Sequence, residues 1–259
     1  MIREIFDIIF PVNCKVCDKP LEKSRYSCLC AECWNQIKFI FPPVCKRCGK
    51  PFNAFRNSLA PVIAGDVVAD SSAKTKQSDF CLECKQSKNT FYFKCARSAG
   101  IYEGVLREAI HLFKYKNKRS LGKHFGEILV NYAQRENIMV DIDIIIPVPL
   151  HKSRLQERDY NQSEILASFL KDKFNLPMHK NILKRSKQTQ SQVGLKRNER
   201  FENIKDAFIV DTTKNNITDK SILLIDDIMT TGATINECAR VLTESGAKEV
   251  NVLTLARDL

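Results

Sequence analysis

The stretch Ser221-Ile-Leu-Leu-Ile-Asp-Asp-Ile-Met-Thr-Thr-Gly-Ala-Thr234 reads as a buried strand, two adjacent carboxylates at its end, and a hydroxyl-rich glycine turn opening a helix. Ile222 to Ile225 is a short apolar, β-branched run of the kind buried on both faces of a parallel sheet. Thr230, Thr231 and Thr234 supply hydroxyls, and Gly232 permits close approach of backbone N–H groups to a ligand. The spacing of Ile235, Ala239 and Leu242 predicts a helix behind the turn. The turn therefore lies at a positive helix end that favours phosphate. Phosphate on the helix and sugar hydroxyls on Asp226 and Asp227 together describe a ribose 5-phosphate site. The plain alternative is a strand–turn–helix whose acids are solvated and whose threonines cap the helix.

Outward from this stretch, residues 96–259 alternate between strand and helix. Strands are expected at Ala99 to Tyr102, Ile142 to Val148, Ala207 to Val210, 222–225 and Val250 to Leu255. Helical spacing covers Val105 to Tyr115, Leu121 to Ala133 and Ile165 to Phe174. Such alternation implies a mostly parallel sheet flanked by crossover helices, with the ligand beyond the carboxyl ends of the strands.

Residues 1–95 differ in character. Eight of the eleven cysteines form four C-x-x-C pairs, Cys14/Cys17, Cys30/Cys33, Cys45/Cys48 and Cys81/Cys84. Two such pairs make a tetrahedral thiolate site suited to zinc. Sequence order groups the first two pairs around one ion and the last two around another, although an interleaved pairing satisfies the same spacing. Disulfides or redox dithiols are the rival chemistries. Cys28 stands beside the second pair as a spare thiol, while Cys95 and Cys238 read as small buried residues. A segment of this size builds little core alone, so metal is expected to supply its folding energy. A packed helix is expected over Met1 to Val12, where Glu4 and Asp7 break any secretory pattern. A long polar loop is expected over residues 53–80.

The chain has 259 residues and a formal net charge of +11. Eight thiolates and two divalent ions lower that charge to about +7. A basic balance suits a diphosphate substrate or a nucleic acid. No apolar run approaches a membrane span, and the protein is expected to be cytoplasmic, without membrane insertion. The densest basic cluster is Lys114, Lys116, Lys118, Arg119 and Lys123, with Tyr115 available for stacking on a base; a solvated helix end is the alternative.

Two further segments complete the candidate site. In Ile146-Pro-Val-Pro-Leu-His-Lys-Ser-Arg-Leu-Gln-Glu-Arg-Asp-Tyr-Asn-Gln162, Arg154 and Arg158 are placed to hold anionic oxygen. Asn161 and Gln162 would read a polar group or cap the next helix, and a solvated basic loop is the alternative. Leu183 to Asn203 is polar and basic, suited to a lid or to an ordinary surface loop.

The stretch at 221–234 resembles the phosphoribosyl pyrophosphate (PRPP) motif of type I phosphoribosyltransferases. The order of four C-x-x-C pairs, V-P-L-H-x-x-R-x-x-x-R-x-x-N-Q, R-x-x-x-T-x-x-Q-x-x-L and D-D-x-x-T-T-G-x-T resembles the competence protein F (ComF) family over nearly the whole chain. Its pattern falls on Pro147, Pro149, Arg154, Arg158, Asn161, Gln162, Arg185, Thr189, Gln192, Leu195, Arg200 and Asn203. Asp159-Tyr160 departs from the family's usual Gly-Phe and places an acid beside the arginines.

The resemblance implies a type I phosphoribosyltransferase-like α/β domain at 96–259 behind a zinc-ribbon-like cysteine-rich domain at 1–95. It implies Asp226 and Asp227 on the ribose hydroxyls, and Thr230, Thr231, Gly232, Ala233 and Thr234 on the 5′-phosphate. Arg154, Arg158 and Arg185 would stabilise a leaving pyrophosphate accompanied by Mg²⁺, with two structural zinc ions held by the eight cysteines. No His or Glu in these motifs stands out as a general base. Three functions follow: a DNA-uptake protein binding PRPP and single-stranded DNA, an orphan transferase moving ribose 5-phosphate to a base or amine, or a non-catalytic PRPP sensor.

Overall fold

The computed structural model describes residues 13–21, 28–52, 79–87, 90–116, 118–189, 196–213 and 216–259. The helix expected over Met1 to Val12, most of the loop expected over residues 53–80, and Gln192 and Leu195 lie outside them.

Two one-turn helices, α1 (Ala31–Asn35) and α2 (Leu82–Gln86), belong to the cysteine-rich segment. Then follow β1 (Cys95–Ile101), α3 (Gly104–Tyr115), α4 (Leu121–Arg135), β2 (Ile144–Pro147), α5 (Lys152–Arg158) and α6 (Gln162–Phe174). The remainder is β3 (Leu183–Arg185), α7 (Arg197–Ile204), β4 (Phe208–Val210), β5 (Ser221–Met229), α8 (Ala233–Glu244) and β6 (Glu249–Arg257).

Four strands form a parallel sheet in the order β1-β6-β5-β2. Alternation on the central strands divides the interior into two cores. Leu223 and Ile225 of β5 enter one with Leu253 and Leu255 of β6, covered by α3, α4 and α6. Ile222 and Leu224 enter the other with Val250 and Val252, covered by α8. Burial on both faces is why these strands read as continuous apolar runs.

Several elements differ from the sequence expectation. Strand β5 does not stop before the acids: Asp226 pairs with Thr254 and Met229 with Arg257, so both carboxylates sit within its last turns of pleat. The Pro-containing segment read as a loop carries α5, a helix with no buried residue. The strand expected at Ala207 to Val210 is β4, which joins β3 in a separate antiparallel pair instead of the main sheet. Within the Leu183 to Asn203 segment, the described residues include β3 and most of α7.

The departure at Asp159-Tyr160 has a local explanation. Asp159 ends α5 at φ 63°, a left-handed conformation that glycine adopts without strain and that aspartate tolerates better than most residues. Its side chain is exposed. Tyr160 is buried and its hydroxyl donates to the Phe113 carbonyl.

The cysteine-rich segment is packed on the sheet domain. Trp34 of α1 lies between the rings of His124 and Phe125 of α4, at centroid distances of 5.4 and 5.9 Å. On the other core, the Ala96 N–H of β1 donates to the Arg47 carbonyl at 2.6 Å. Gly49, at φ 72°, permits that approach, because a Cβ there would collide with the Ala96 carbonyl.

Candidate functional site

Strand β5 delivers its last residues to the carboxyl edge of the sheet, where Thr230, Thr231 and Gly232 turn the chain into α8. Gly232 holds φ 79°. Thr231 Oγ1 accepts from the Ala233 N–H at 3.4 Å, and Arg200 Nη1 donates to Thr230 Oγ1 at 3.2 Å. The turn, α8's first residues and Asp226 and Asp227 line one cavity of about 750 Å³. Concave sites of this size commonly hold small-molecule ligands.

The two acids are neighbours on a pleated strand and therefore point to opposite faces. Asp226 Oδ1 accepts from Ser163 Oγ at the start of α6 and from the Asp227 N–H, both at 2.9 Å. Asp227 Oδ1 meets Lys114 Nζ at the end of α3 at 2.9 Å, with both side chains largely buried. Burial, followed by the charge of Asp227, pushes the Asp226 carboxyl up to about 7.

Four arginines line this cavity; Arg200 holds Thr230 as described, and the other three are in different states. Arg154 is ion-paired with Glu157 at 2.8 Å and is partly exposed. Arg158 donates to Gln162 Oε1 at 3.2 Å and to the Tyr115 hydroxyl at 3.0 Å, with its guanidinium 4.8 Å from the Tyr115 ring centroid. Arg185 donates to Thr189 Oγ1 at 2.5 Å and stacks on Phe208. Burial lowers its affinity for a proton. The Nε atoms of Arg158 and Arg185 are buried without a hydrogen-bond partner. The guanidinium charges of these residues at the cavity wall favour an anionic guest.

Asn161 serves as a cap: its Oδ1 accepts from the Ser163 N–H at 3.1 Å and its Nδ2 donates to the Val148 carbonyl at 3.0 Å. Gln162 is buried against Arg158. Thus Asp226, Asp227, Arg154, Arg158, Arg185, Thr230, Gly232, Ala233 and Thr234 all reach one cavity. Thr231 stands beside it and also faces a smaller cavity behind the turn.

Lys114, Ser163, Tyr102 and Glu157 also reach that cavity, although sequence reasoning gave none of them a role there. The basic cluster is correspondingly smaller than expected, because Lys114 is held by Asp227 and Arg119 lies 4.9 Å over the Tyr160 ring. A signal for Lys114 exists: it continues the i, i+4 row of Leu106 and Ile110 that α3 buries.

Among the described residues, two groups have metal-ligand geometry: Cys14, Cys17, Cys30 and Cys33, and Cys45, Cys48, Cys81 and Cys84. This is the grouping by sequence order. Within each group all four sulfurs lie within 4.8 Å of one another, and the Cys14–Cys33, Cys17–Cys30 and Cys48–Cys81 pairs are 3.6 Å apart. Four thiolates held tetrahedrally at about 2.3 Å from zinc stand about 3.8 Å apart, so the donor sets fit that ion. Amide N–H groups of Cys30, Cys33 and Cys81 point at sulfurs at 3.3–3.4 Å, as thiolate ligands require.

Residues 5–67 match a model described as a double zinc ribbon domain, and residues 161–259 match the phosphoribosyl transferase domain. The ribbon match ends before Cys81 and Cys84, which complete the second quartet. Competence protein F from Haemophilus influenzae is 35% identical over 161 residues, 61% of this chain and 70% of that protein. Competence protein ComFC from Bacillus subtilis is 28% identical over 68% of this chain and 72% of its own length. DNA utilization protein YhgH from Escherichia coli is 29% identical over 61% and 70%. Among solved structures, glutamine PRPP amidotransferase from B. subtilis aligns over 51% of this chain and 25% of its own at 18% identity. Its TM-score is 0.35, too distant to carry an argument. The phosphoribosyltransferase-like parallel sheet and the cysteine-rich ribbon segment expected from the sequence are both present. No described helix is long and apolar enough to cross a membrane.

Proposed function

Because the chain belongs to the competence protein F family, we propose that its cavity binds the ribose 5-phosphate diphosphate PRPP in the service of DNA uptake in the cytoplasm. The observation that carries this reading is one cavity joining the Asp226–Asp227 pair to the threonine–glycine turn at the start of α8. In this reading Asp226 and Asp227 accept from the ribose hydroxyls. Thr230, Thr231, Gly232, Ala233 and Thr234 surround the 5′-phosphate, with N–H groups and the positive helix end directed at it. Arg158 and Arg185, whose guanidinium groups line the cavity, take the diphosphate together with Arg154. Asp227 must exchange Lys114 for a sugar hydroxyl, and Asp226 must stay ionised to accept one.

Residues 1–95 are read as the zinc-binding part, with one ion for each quartet, and residues 96–259 as the PRPP-binding part. Mg²⁺ prefers oxygen ligands and retains water. It would enter with the diphosphate near the two carboxylates and balance the charge that develops there. The names of the three relatives support DNA as the process served, and the basic charge supports single-stranded DNA as a partner. A transfer of ribose 5-phosphate to an acceptor is the second reading. Tyr102 and Tyr115 on the cavity wall favour an acceptor with a flat face.

Titration calorimetry with PRPP and Mg²⁺ tests the site. Wild type binds and the Asp226→Asn/Asp227→Asn variant does not; equal binding by both rules out the assignment. Fluorescence anisotropy with single-stranded DNA is expected to show a steep salt dependence, and no binding at low salt removes the nucleic-acid partner.

A further inference from the structure

The second cysteine quartet is built onto the underside of the phosphate turn, and two buried side chains make the connection. Arg257, the last residue of β6, is 4% exposed, and its Nη1 donates to the Cys48 carbonyl within the third C-x-x-C pair. The same residue pairs with Met229 across the sheet, and the next N–H, of Asp258, donates to the Met229 carbonyl at 2.9 Å. Met229 leads directly into Thr230, Thr231 and Gly232. Its Cε packs so closely beneath Gly232 that a Cβ there would lie 2.9 Å away. A cavity of about 30 Å³ is shared by Cys48 and Cys84 of the quartet, Thr230 and Thr231 of the turn, and Arg257. Quartet and turn therefore have a common wall.

A second connection lies in the helix that the turn opens. Asn236, in the first turn of α8, accepts from the Tyr92 N–H and donates to the Thr90 carbonyl, both at 2.9 Å. Residues 90–92 follow the fourth C-x-x-C pair and lead into β1. The helix whose start faces the ligand thus holds the segment leaving the quartet. No comparable link joins the first quartet to the turn among the described residues; its neighbours are Trp34, His124 and Phe125 in the opposite core.

We infer that Arg257 and Asn236 are positioning residues which make the phosphate turn's geometry depend on the second quartet being metal-loaded. The inference rests on the ligand reading given above. Zinc fixes the Cys45–Cys48 knuckle; the knuckle's carbonyl fixes the Arg257 guanidinium; and Arg257 fixes the end of β5 from which the turn departs. A partner standing behind a metal ligand changes metal affinity by about 10–100-fold when removed. Coupling between two sites must act equally in both directions. PRPP bound at the turn therefore protects the second zinc and leaves the first indifferent.

The experiment measures the equilibrium partition of zinc between the full-length protein and increasing concentrations of a colorimetric chelator, with and without PRPP and Mg²⁺, and with calorimetry on the same preparations. Saturating PRPP is expected to tighten one zinc by at least about fivefold while the other keeps its affinity. In Arg257→Lys, which keeps the charge but loses the planar fork, PRPP affinity falls about tenfold and the protection shrinks with it. Asn236→Asp, which keeps the acceptor for Tyr92 but loses the donor to Thr90, shows a smaller loss of both. Equal tightening of both zinc ions, or of neither, in protein that binds PRPP overturns the coupling alone. Failure of wild type to bind PRPP overturns the ligand reading, and the coupling falls with it. Because the protection measurement uses wild type, a variant that fails to fold does not decide the outcome.

Discussion

The two cysteine quartets have the same ligands and the same spacing within each pair, yet they are set into opposite faces of one sheet. The first joins the core of α3, α4 and α6 through Cys14, Cys33 and the indole of Trp34. The second joins the core of α8 through Cys45, Cys48 and Cys84 beside Met229, Ala233 and Ile235. The first packs against a wall of the domain, and the second adjoins Thr230 and Thr231 of the turn proposed to hold phosphate. Identical metal chemistry thus takes its meaning from the surface against which it is packed.

Deleting each quartet in turn has the largest expected effect. Cys14→Ser/Cys17→Ser and Cys45→Ser/Cys48→Ser proteins are each expected to carry one zinc, measured by elemental analysis. Structural zinc sites contribute on the order of 10 kcal/mol of folding free energy in isolated fingers, so both proteins lose stability. They differ at the cavity: the first retains PRPP binding at temperatures where it is folded, whereas the second loses it. Ligand binding lost by the first and kept by the second would reverse the assignment of the two faces.

Trp34→Ala sharpens the comparison without touching a metal ligand. Trp34 is 5% exposed, and truncating a buried indole costs about 3–5 kcal/mol. Denaturant unfolding should report that loss while the PRPP dissociation constant measured at low temperature stays unchanged. A matching loss of ligand affinity would mean that the first face also governs the turn.

The central features of this arrangement were legible in the sequence. Ile222 to Ile225 and Val250 to Leu255 declare buried strands because apolar side chains fill both faces, and the grouping of cysteines follows chain order. The reading that ended β5 before Asp226 failed because ladder hydrogen bonds ignore side-chain polarity: pairing with β6 continues to Met229. Helix α5 escaped notice because none of its residues is buried, so it leaves no apolar periodicity. Strands β3 and β4 have three residues each, too few for alternation to register. Lys114 was counted with its neighbours' charges when its row on α3 already placed it among buried residues. Which core receives which quartet has no local signature at all, since Trp34 and Arg257 acquire their roles from partners 90 or more positions away.

The smallest expected effect is a pair of opposed pH slopes, one from each face. Asp226, beside the ligand turn, has its carboxyl raised to about 7 from an ordinary 3.8 by burial and then by Asp227. The folded protein therefore holds that proton more tightly than the unfolded chain, and the stabilisation is lost as pH rises from about 4 through 7. His124, stacked on Trp34 beside the first quartet, has its pKa lowered from 6.5 chiefly by burial. There the unfolded chain takes the proton more readily, so stability is present above 6.5 and is lost as pH falls below it. Melting temperatures of Asp226→Asn and His124→Gln between pH 5 and 8 separate the two. Relative to wild type, the first gains stability toward pH 8 and the second toward pH 5, each by about 2–4 °C. Slopes of the same sign in both variants would show that the two faces do not titrate independently. A flat profile for Asp226→Asn would mean that its carboxyl binds a proton equally well in the folded and the unfolded chain.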